Sequence, residues 1–64
     1  MKSPTIEYDA EVSAAYIRFS TNQVFETAEV SSGIILDYDK DGKIVGMEVL
    51  DARSHLPNEI VDAA

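Results

Sequence analysis

The sequence contains no cysteine, a single histidine and only five basic residues among its 64. Without cysteine, neither a disulfide nor a cysteine-based zinc site can stabilise so short a chain. Five bases against twelve acids give a net charge of −7, which argues against a nucleic-acid groove, because such grooves need clustered lysine and arginine. We therefore expect no nucleic-acid partner.

Long apolar runs are also missing. No stretch approaches the ~18 consecutive apolar residues of a membrane-spanning helix, and residues 1–4 lead into alternating sequence rather than the apolar block of a secretory signal. We expect a cytoplasmic protein with no membrane partner. The apolar fraction of 45% is ordinary for a folded chain and the length allows one core, so residues 1–64 are predicted to form a single small β-rich domain.

Period-two alternation of apolar and polar residues, interrupted by short polar turns, predicts antiparallel strands. The predicted strands span residues 5–8, 15–20, 24–30 and the two arms of a hairpin over 33–50. Asp51 as an N-cap and Pro57 at a first helical position predict short helical turns near the C-terminus. The expected fold is α+β: a five-stranded antiparallel β-meander with a short C-terminal helical segment packed on the sheet.

The hairpin turn sets a strand register. Residues 39–43 fit a three-residue loop with Gly42 in the left-handed conformation, which pairs Asp39 with Lys43. The register outward is then Tyr38–Ile44, Asp37–Val45, Leu36–Gly46, Ile35–Met47 and Ile34–Glu48. Both faces of the hairpin are apolar in this register, so both should be covered. A helical segment of two turns leaves apolar surface for a partner, and a second copy is the simplest partner, which predicts a homodimer.

Residues 37–48 match the pattern of a calcium-binding loop, with acids at positions one, three and five, glycine at six and Glu48 at twelve. Strands rather than helices are predicted to flank this segment, however. Glu48 lies about 16 Å along the strand beyond Lys43 and faces away from Asp37 in the predicted register, so it cannot close a site. Tight turns favour the same residue types. The segment is interpreted as a turn, with weak divalent-cation binding at Asp37–Asp41 as an alternative.

No residue pattern predicts catalysis. The lone His55 beside Ser54 lacks the geometry of a catalytic triad and fits a surface position, and no glycine-rich segment opens a helix as a phosphate loop requires. A chain of 64 residues also has little room for a pocket of ~300 Å³. We expect a protein that is not an enzyme and assign no catalytic, cofactor-binding or metal-binding residues.

Three strand residues stand out on other grounds. Asp37 interrupts an apolar face, most simply as a strand end emerging into water. Arg18 is expected to stack on Tyr16 or to pair with a cross-strand acid such as Glu7. Gly46 is expected to make room for a large neighbour on the sheet.

Four blocks of sequence resemble, in the same order, a small prokaryotic family called domain of unknown function 2283. The blocks are YDAE at 8–11, AAYIRFS at 14–20, EVSSGIILDYD at 29–39 and DGKIVGMEVLDA at 41–52. The chain departs from the family at Ala10, Ser13 and Ala15, where proline, an acid and leucine are common. The resemblance implies a compact, β-rich intracellular protein and supplies no agreed activity and no catalytic residues.

The function predicted from these observations is a non-catalytic protein-interaction or oligomerisation module. Some members of the family look like neighbours of small toxin-like proteins, and the acidic charge fits that setting. An alternative is therefore an antitoxin-like neutraliser whose acids cover a small basic toxin partner. The second alternative is the weak cation site at the Asp37–Asp41 turn.

Overall fold

The computed structural model describes residues 4–64. The first three residues of the predicted domain lie outside the described residues, and so does that part of the segment in which no secretory signal was expected. The elements are strands β1 (Thr5–Asp9), β2 (Ala14–Arg18), β3 (Glu26–Ser31), β4 (Ile34–Tyr38) and β5 (Ile44–Leu50), then helices α1 (Ala52–His55) and α2 (Asn58–Asp62). All five strands form one antiparallel sheet with the helices at its C-terminal end, which confirms the predicted α+β class. Within residues 4–64, neither helix has the length and apolar content needed to cross a membrane.

The strand order is β1-β2-β5-β4-β3. The β1–β2, β3–β4 and β4–β5 connections join neighbouring strands, as in the predicted meander. Residues 19–25 instead carry the chain from β2 across to the opposite edge, so β2 and β3 are not neighbours. β5 therefore lies in the centre of the sheet, between β2 and β4. Its residues Val45 and Val49 are fully buried, and Val49 lies beneath the helices.

The turn between β4 and β5 has the predicted geometry. The Gly42 N–H donates to the Asp39 carbonyl oxygen (3.0 Å), and the Asp39 N–H donates to the carbonyl oxygen of Lys43 (2.9 Å). Gly42 has φ +78°, a conformation that side chains with a Cβ rarely adopt. Asp and Gly are thus placed here for backbone reasons.

Beyond the turn, the register differs from the prediction by one residue. Tyr38 pairs with Ile44 as expected, but Asp37 pairs with Gly46 because β5 carries Val45 as an extra, bulged residue. The Val45 carbonyl oxygen accepts from the N–H groups of both Phe19 and Ser20, at 2.8 and 3.1 Å. The two strands stay offset to their far ends, so the remaining pairs are Leu36–Met47, Ile35–Glu48 and Ile34–Val49.

The bulge sorts the hairpin side chains onto two different faces, since a shift of one residue moves a strand's side chains to the other side of the sheet. Met47 and Val49 join Leu36 on one face, while Glu48 joins Asp37 on the other. The prediction that both faces of the hairpin are apolar and covered is therefore wrong. The apolar residues are concentrated on one face, and the second face is mostly polar.

The helices cover one end of the apolar face. Their buried residues Ala52 and Val61 pack with Ala15 and Val49 of the sheet. Partly buried residues around this core are Tyr8, Ile34, Met47 and Leu56. Asp51 is the N-cap of α1, as predicted, although its carboxylate accepts a hydrogen bond from the Ser54 hydroxyl (2.8 Å) rather than from the helix backbone.

Candidate functional site

The helices leave an apolar area of the sheet uncovered at the end away from the β1–β2 turn. Cross-strand partners share a face, and the pairs Ile6–Ile17, Ile17–Met47, Met47–Leu36 and Leu36–Ala28 form one row across all five strands. Each of these residues is half-buried. Beside this row, toward the end of the sheet, lie Phe19, which follows β2, and Ile44 of β5, with 39% and 47% of their surface exposed. We define the open apolar face as Ile6, Ile17, Phe19, Leu36, Ile44 and Met47.

The strands place almost no charge on this side of the sheet. By strand alternation, the one charged residue that the described strands place there is Glu26, at the β3 edge. No charged residue of these strands lies within the open apolar face, whereas an ordinary solvated sheet surface carries charged side chains throughout. It is therefore a surface suited to contact with another apolar surface.

The opposite side carries most of the strand carboxylates. We define the acidic face as Glu7, Asp9, Glu29, Asp37 and Glu48, which the register places together. Arg18 is the single base among the described strand residues on this face. Its guanidinium donates to the Asn22 carbonyl oxygen (3.2 Å) and also lies near the Tyr16 hydroxyl, one of the two contacts that the sequence suggested. The face therefore keeps a net negative charge.

A tyrosine bridge spans the acidic face. The Tyr16 ring crosses β5 directly above Gly46, where an added Cβ would lie 2.6 Å from the tyrosine Cζ. The Tyr16 hydroxyl donates to Asp37 Oδ2 (2.6 Å), and the Thr27 hydroxyl donates to Asp37 Oδ1 (2.7 Å). Gly46 thus makes room for a large neighbour, as predicted. Asp37 is half-buried and anchors the bridge, contrary to the expectation that it simply emerges into water.

The environment of the bridge keeps the tyrosine hydroxyl protonated. Burial, followed by the hydrogen bond to Asp37 and the charge of that carboxylate, raises the pKa of Tyr16 above its ordinary value. A protonated hydroxyl is the donor that the Asp37 carboxylate requires. The bridge therefore serves to join β2, β4 and β3 across the central strand.

Asp39 fastens the turn end of the sheet. The residue is 8% exposed, and its carboxylate accepts hydrogen bonds from the N–H groups of Asp41 (2.9 Å) and Lys43 (3.0 Å) and from the side-chain amide of Asn22 (3.0 Å). These hydrogen bonds lower the pKa of Asp39, and the bond from the Lys43 N–H has the largest effect, followed by the bond from Asn22. The ionised carboxylate thereby holds the β4–β5 turn against the β2–β3 connection.

The acids of the calcium-like segment are directed to different partners. Asp37 binds Tyr16 and Thr27, whereas Asp39 binds the turn backbone. The bulge places Glu48 on the same face as Asp37, so the expectation that Glu48 faces away is wrong. Among residues 4–64, no three acidic or histidine side chains are arranged to share a metal ion.

Fold and surfaces together define a small α+β sheet domain with one open apolar face and one acidic face. The chain belongs to the family described as protein of unknown function (DUF2283), whose model matches residues 5–53. This confirms the resemblance drawn from the sequence, and the match includes all five strands. No curated protein and no solved structure is significantly similar to the chain.

The open apolar face could not be found by sequence reasoning because it depends on two long-range features. One is the Val45 bulge, which brings Met47 onto the same face as Leu36. The other is the pairing of β2 with β5, which brings Ile17 beside Met47. The available signal was the alternation of apolar and polar residues within each strand, and this alternation does not show which strands are neighbours in the sheet.

Proposed function

We propose that the protein is a non-catalytic protein-interaction and oligomerisation module that works through its open apolar face. The observation that carries this proposal is the continuous apolar row across five strands, with the exposed side chains of Phe19 and Ile44 beside it. A contiguous apolar area at a protein surface marks a contact site, because covering it removes apolar surface from water. A protein partner that covers this row would complete the second layer that the short helices begin.

The non-catalytic part of the proposal is supported by the structural use of the polar side chains. The Asp39 carboxylate is occupied by three donors of the fold itself. The His55 Nδ1 lies 3.2 Å from the Leu50 carbonyl oxygen and 3.3 Å from that of Asp51, which suits a donor that fastens the start of the helical segment. Asp37 is likewise engaged by Tyr16 and Thr27.

The test compares two variants that add the same charge at opposite ends of β2. Phe19→Asp lies on the open apolar face, and Val12→Asp lies in the β1–β2 turn, where Val12 is 67% exposed. The tagged chain, expressed at its native level, is sized by gel filtration of a gentle lysate. We expect the unsubstituted chain and Val12→Asp to elute as a complex, and Phe19→Asp to elute as a monomer.

Equal behaviour of the two variants would contradict the proposal, as would elution of the unsubstituted chain as a monomer. Circular dichroism and thermal melting serve as the control for folding. Ile44→Asp provides a second variant on the same face, since Ile44 is 47% exposed and its replacement removes little of the core.

A second candidate function, neutralisation of a small basic protein, is favoured by the acidic face. A shallow groove of about 550 Å³ lies beside that face and is lined by Glu7, Asp9, Glu11, Glu48 and the Tyr16 ring, among others. Carboxylates around an aromatic ring suit a lysine or arginine side chain. In calorimetry, a basic protein encoded beside this chain should bind with an affinity that falls about tenfold when the salt concentration rises from about 50 to about 500 mM. Absence of binding would remove this candidate.

A further inference from the structure

We propose that the partner on the open apolar face is a second copy of this chain, packed face to face so that the two acidic faces point outward. This inference rests on the proposed function and names its partner. The resulting dimer would be a sandwich of two sheets, each with its helices and its open apolar face in the inner layer. The interface would be isologous, because the same residues of each copy meet across a two-fold axis.

The size of the whole apolar side, helices included, agrees with what a stable dimer needs. A standard interface buries about 800 Å² per partner, roughly one sixth of the 4587 Å² surface of this chain. The molecule measures 32 × 28 × 17 Å, so it is thin in one direction and its sheet extends along the two longer ones. The apolar side of the molecule, which consists of the open apolar face and the helices beside it, is therefore wide enough to supply the required area.

The small core gives a physical reason for self-association. The buried apolar residues among those described are three valines and two alanines, with no leucine, isoleucine or aromatic residue. Chains of this length bury about 60% of the surface that their unfolded form exposes, and are correspondingly marginal as monomers. The larger apolar side chains of this protein, including Ile17, Leu36 and Met47, are only half-buried in the single chain. A second copy would complete their burial.

The charge distribution selects the orientation. Each chain carries a net charge of −7, so two copies repel one another unless their carboxylates are kept apart. Packing through the open apolar face leaves the acidic faces separated by more than one 17 Å molecular thickness, which exceeds the Debye length of about 8 Å at physiological salt. Packing through the acidic faces would instead bring like charges into contact.

Single-cysteine variants test the orientation directly, because the natural chain contains no cysteine. Met47→Cys lies in the middle of the open apolar face, and its neighbour Glu48→Cys lies on the acidic face. With a short flexible bismaleimide, we expect Met47→Cys to be cross-linked to a species of twice the chain mass and Glu48→Cys to remain single. Cross-linking of Glu48→Cys alone, or equal cross-linking of both, would overturn the face-to-face arrangement.

Sedimentation equilibrium of the purified chain tests whether the partner on the open apolar face is a second copy. We expect a mass of twice 7.0 kDa for the unsubstituted chain, a dissociation constant at least tenfold weaker for Phe19→Asp, and no change for Val12→Asp. Between about 50 and 500 mM salt the dissociation constant should change less than twofold, because the acidic faces lie apart. A concentration-independent mass of 7.0 kDa would overturn the proposal, and so would a dimer that strengthens tenfold with salt.

The two proposals fail in different ways. A purified chain that stays monomeric, together with a lysate complex that Phe19→Asp disrupts and Val12→Asp does not, would overturn the second copy and leave the interaction module intact. Equal elution of the two variants in the lysate would overturn the interaction module itself.

Discussion

The two faces of the sheet are built from the same five strands but are held by different interactions. On the apolar face, Val49 and Ala15 are stabilised by burial under the helices, a non-directional effect proportional to the area removed from water. On the acidic face, Tyr16 and Asp37 are joined by a hydrogen bond of fixed geometry. The comparison teaches that a face stabilised by burial can be extended by a further apolar layer. The face stabilised by directed bonds already has its partners within the chain.

Breaking the apolar side of this comparison should have the largest effect. Val49→Ala removes two methyl groups from a fully buried site, so the free energy of unfolding should fall by about 2–3 kcal/mol, from lost burial and the cavity left behind. Val12→Ala is the matched control, because the same atoms are removed from a residue that is 67% exposed, and it should change stability by less than about 0.5 kcal/mol. Urea unfolding measures both, and equal losses would show that burial under the helices is not what stabilises this face.

Breaking the polar side should have an intermediate effect. Gly46→Ala places a methyl group where the Tyr16 ring lies, so the ring must move and its bond to Asp37 is lost. We expect a loss of about 1–3 kcal/mol from overpacking. The Tyr16→Leu background supplies the control, because the methyl group then meets no hydroxyl and the same substitution should cost little. Additive effects of the two substitutions in a double-mutant cycle would contradict the bridge.

The turn end sharpens the comparison through pH and should show the smallest effect at neutral pH. Asp39→Asn keeps an acceptor oxygen for the N–H groups of Asp41 and Lys43 but loses the negative charge. Because the pKa of Asp39 is lowered in the folded protein, the charge contributes stability that is present above the ordinary value of about 3.8 and is lost as pH falls through the lowered pKa.

The difference in urea midpoint between the wild-type chain and Asp39→Asn measures this contribution. We expect the wild-type chain to be more stable at about pH 6 and the difference to shrink as the pH falls below about 3.8 and through the lowered pKa of Asp39. A difference that does not vary over this range would show that shape, rather than charge, accounts for the role of Asp39.

Local chemistry predicted a substantial part of this fold. The turn with Gly42 in the left-handed conformation, the N-cap at Asp51 and the position of every strand follow from residues close together in sequence. The role of Gly46 as space for a large neighbour was also predictable, since a glycine inside a strand has few other uses. The neighbour itself, Tyr16, is thirty residues away and could not be chosen from the sequence.

The register shows where local chemistry stops. The turn correctly paired Tyr38 with Ile44, but no local signal marked Val45 as the bulged residue, because its neighbours on β2 and β4 are what accommodate it. One extra residue then exchanged the faces of Glu48 and Met47 relative to Leu36. The expected function depended on exposed apolar surface, and the predicted register wrongly divided that surface between the two faces of the hairpin.

The amino-acid sequence by itself determined the class of this protein, its turns, its acidity and its family, because these depend on composition and on residues within a few positions of one another. Only the tertiary structure decided that β2 lies beside β5 and that one bulge gathers the apolar side chains onto one face. The physical reason is that strand pairing is a long-range choice. The alternation of apolar and polar residues shows that a strand has two different sides. Which side is covered depends on the strands and helices that pack beside it.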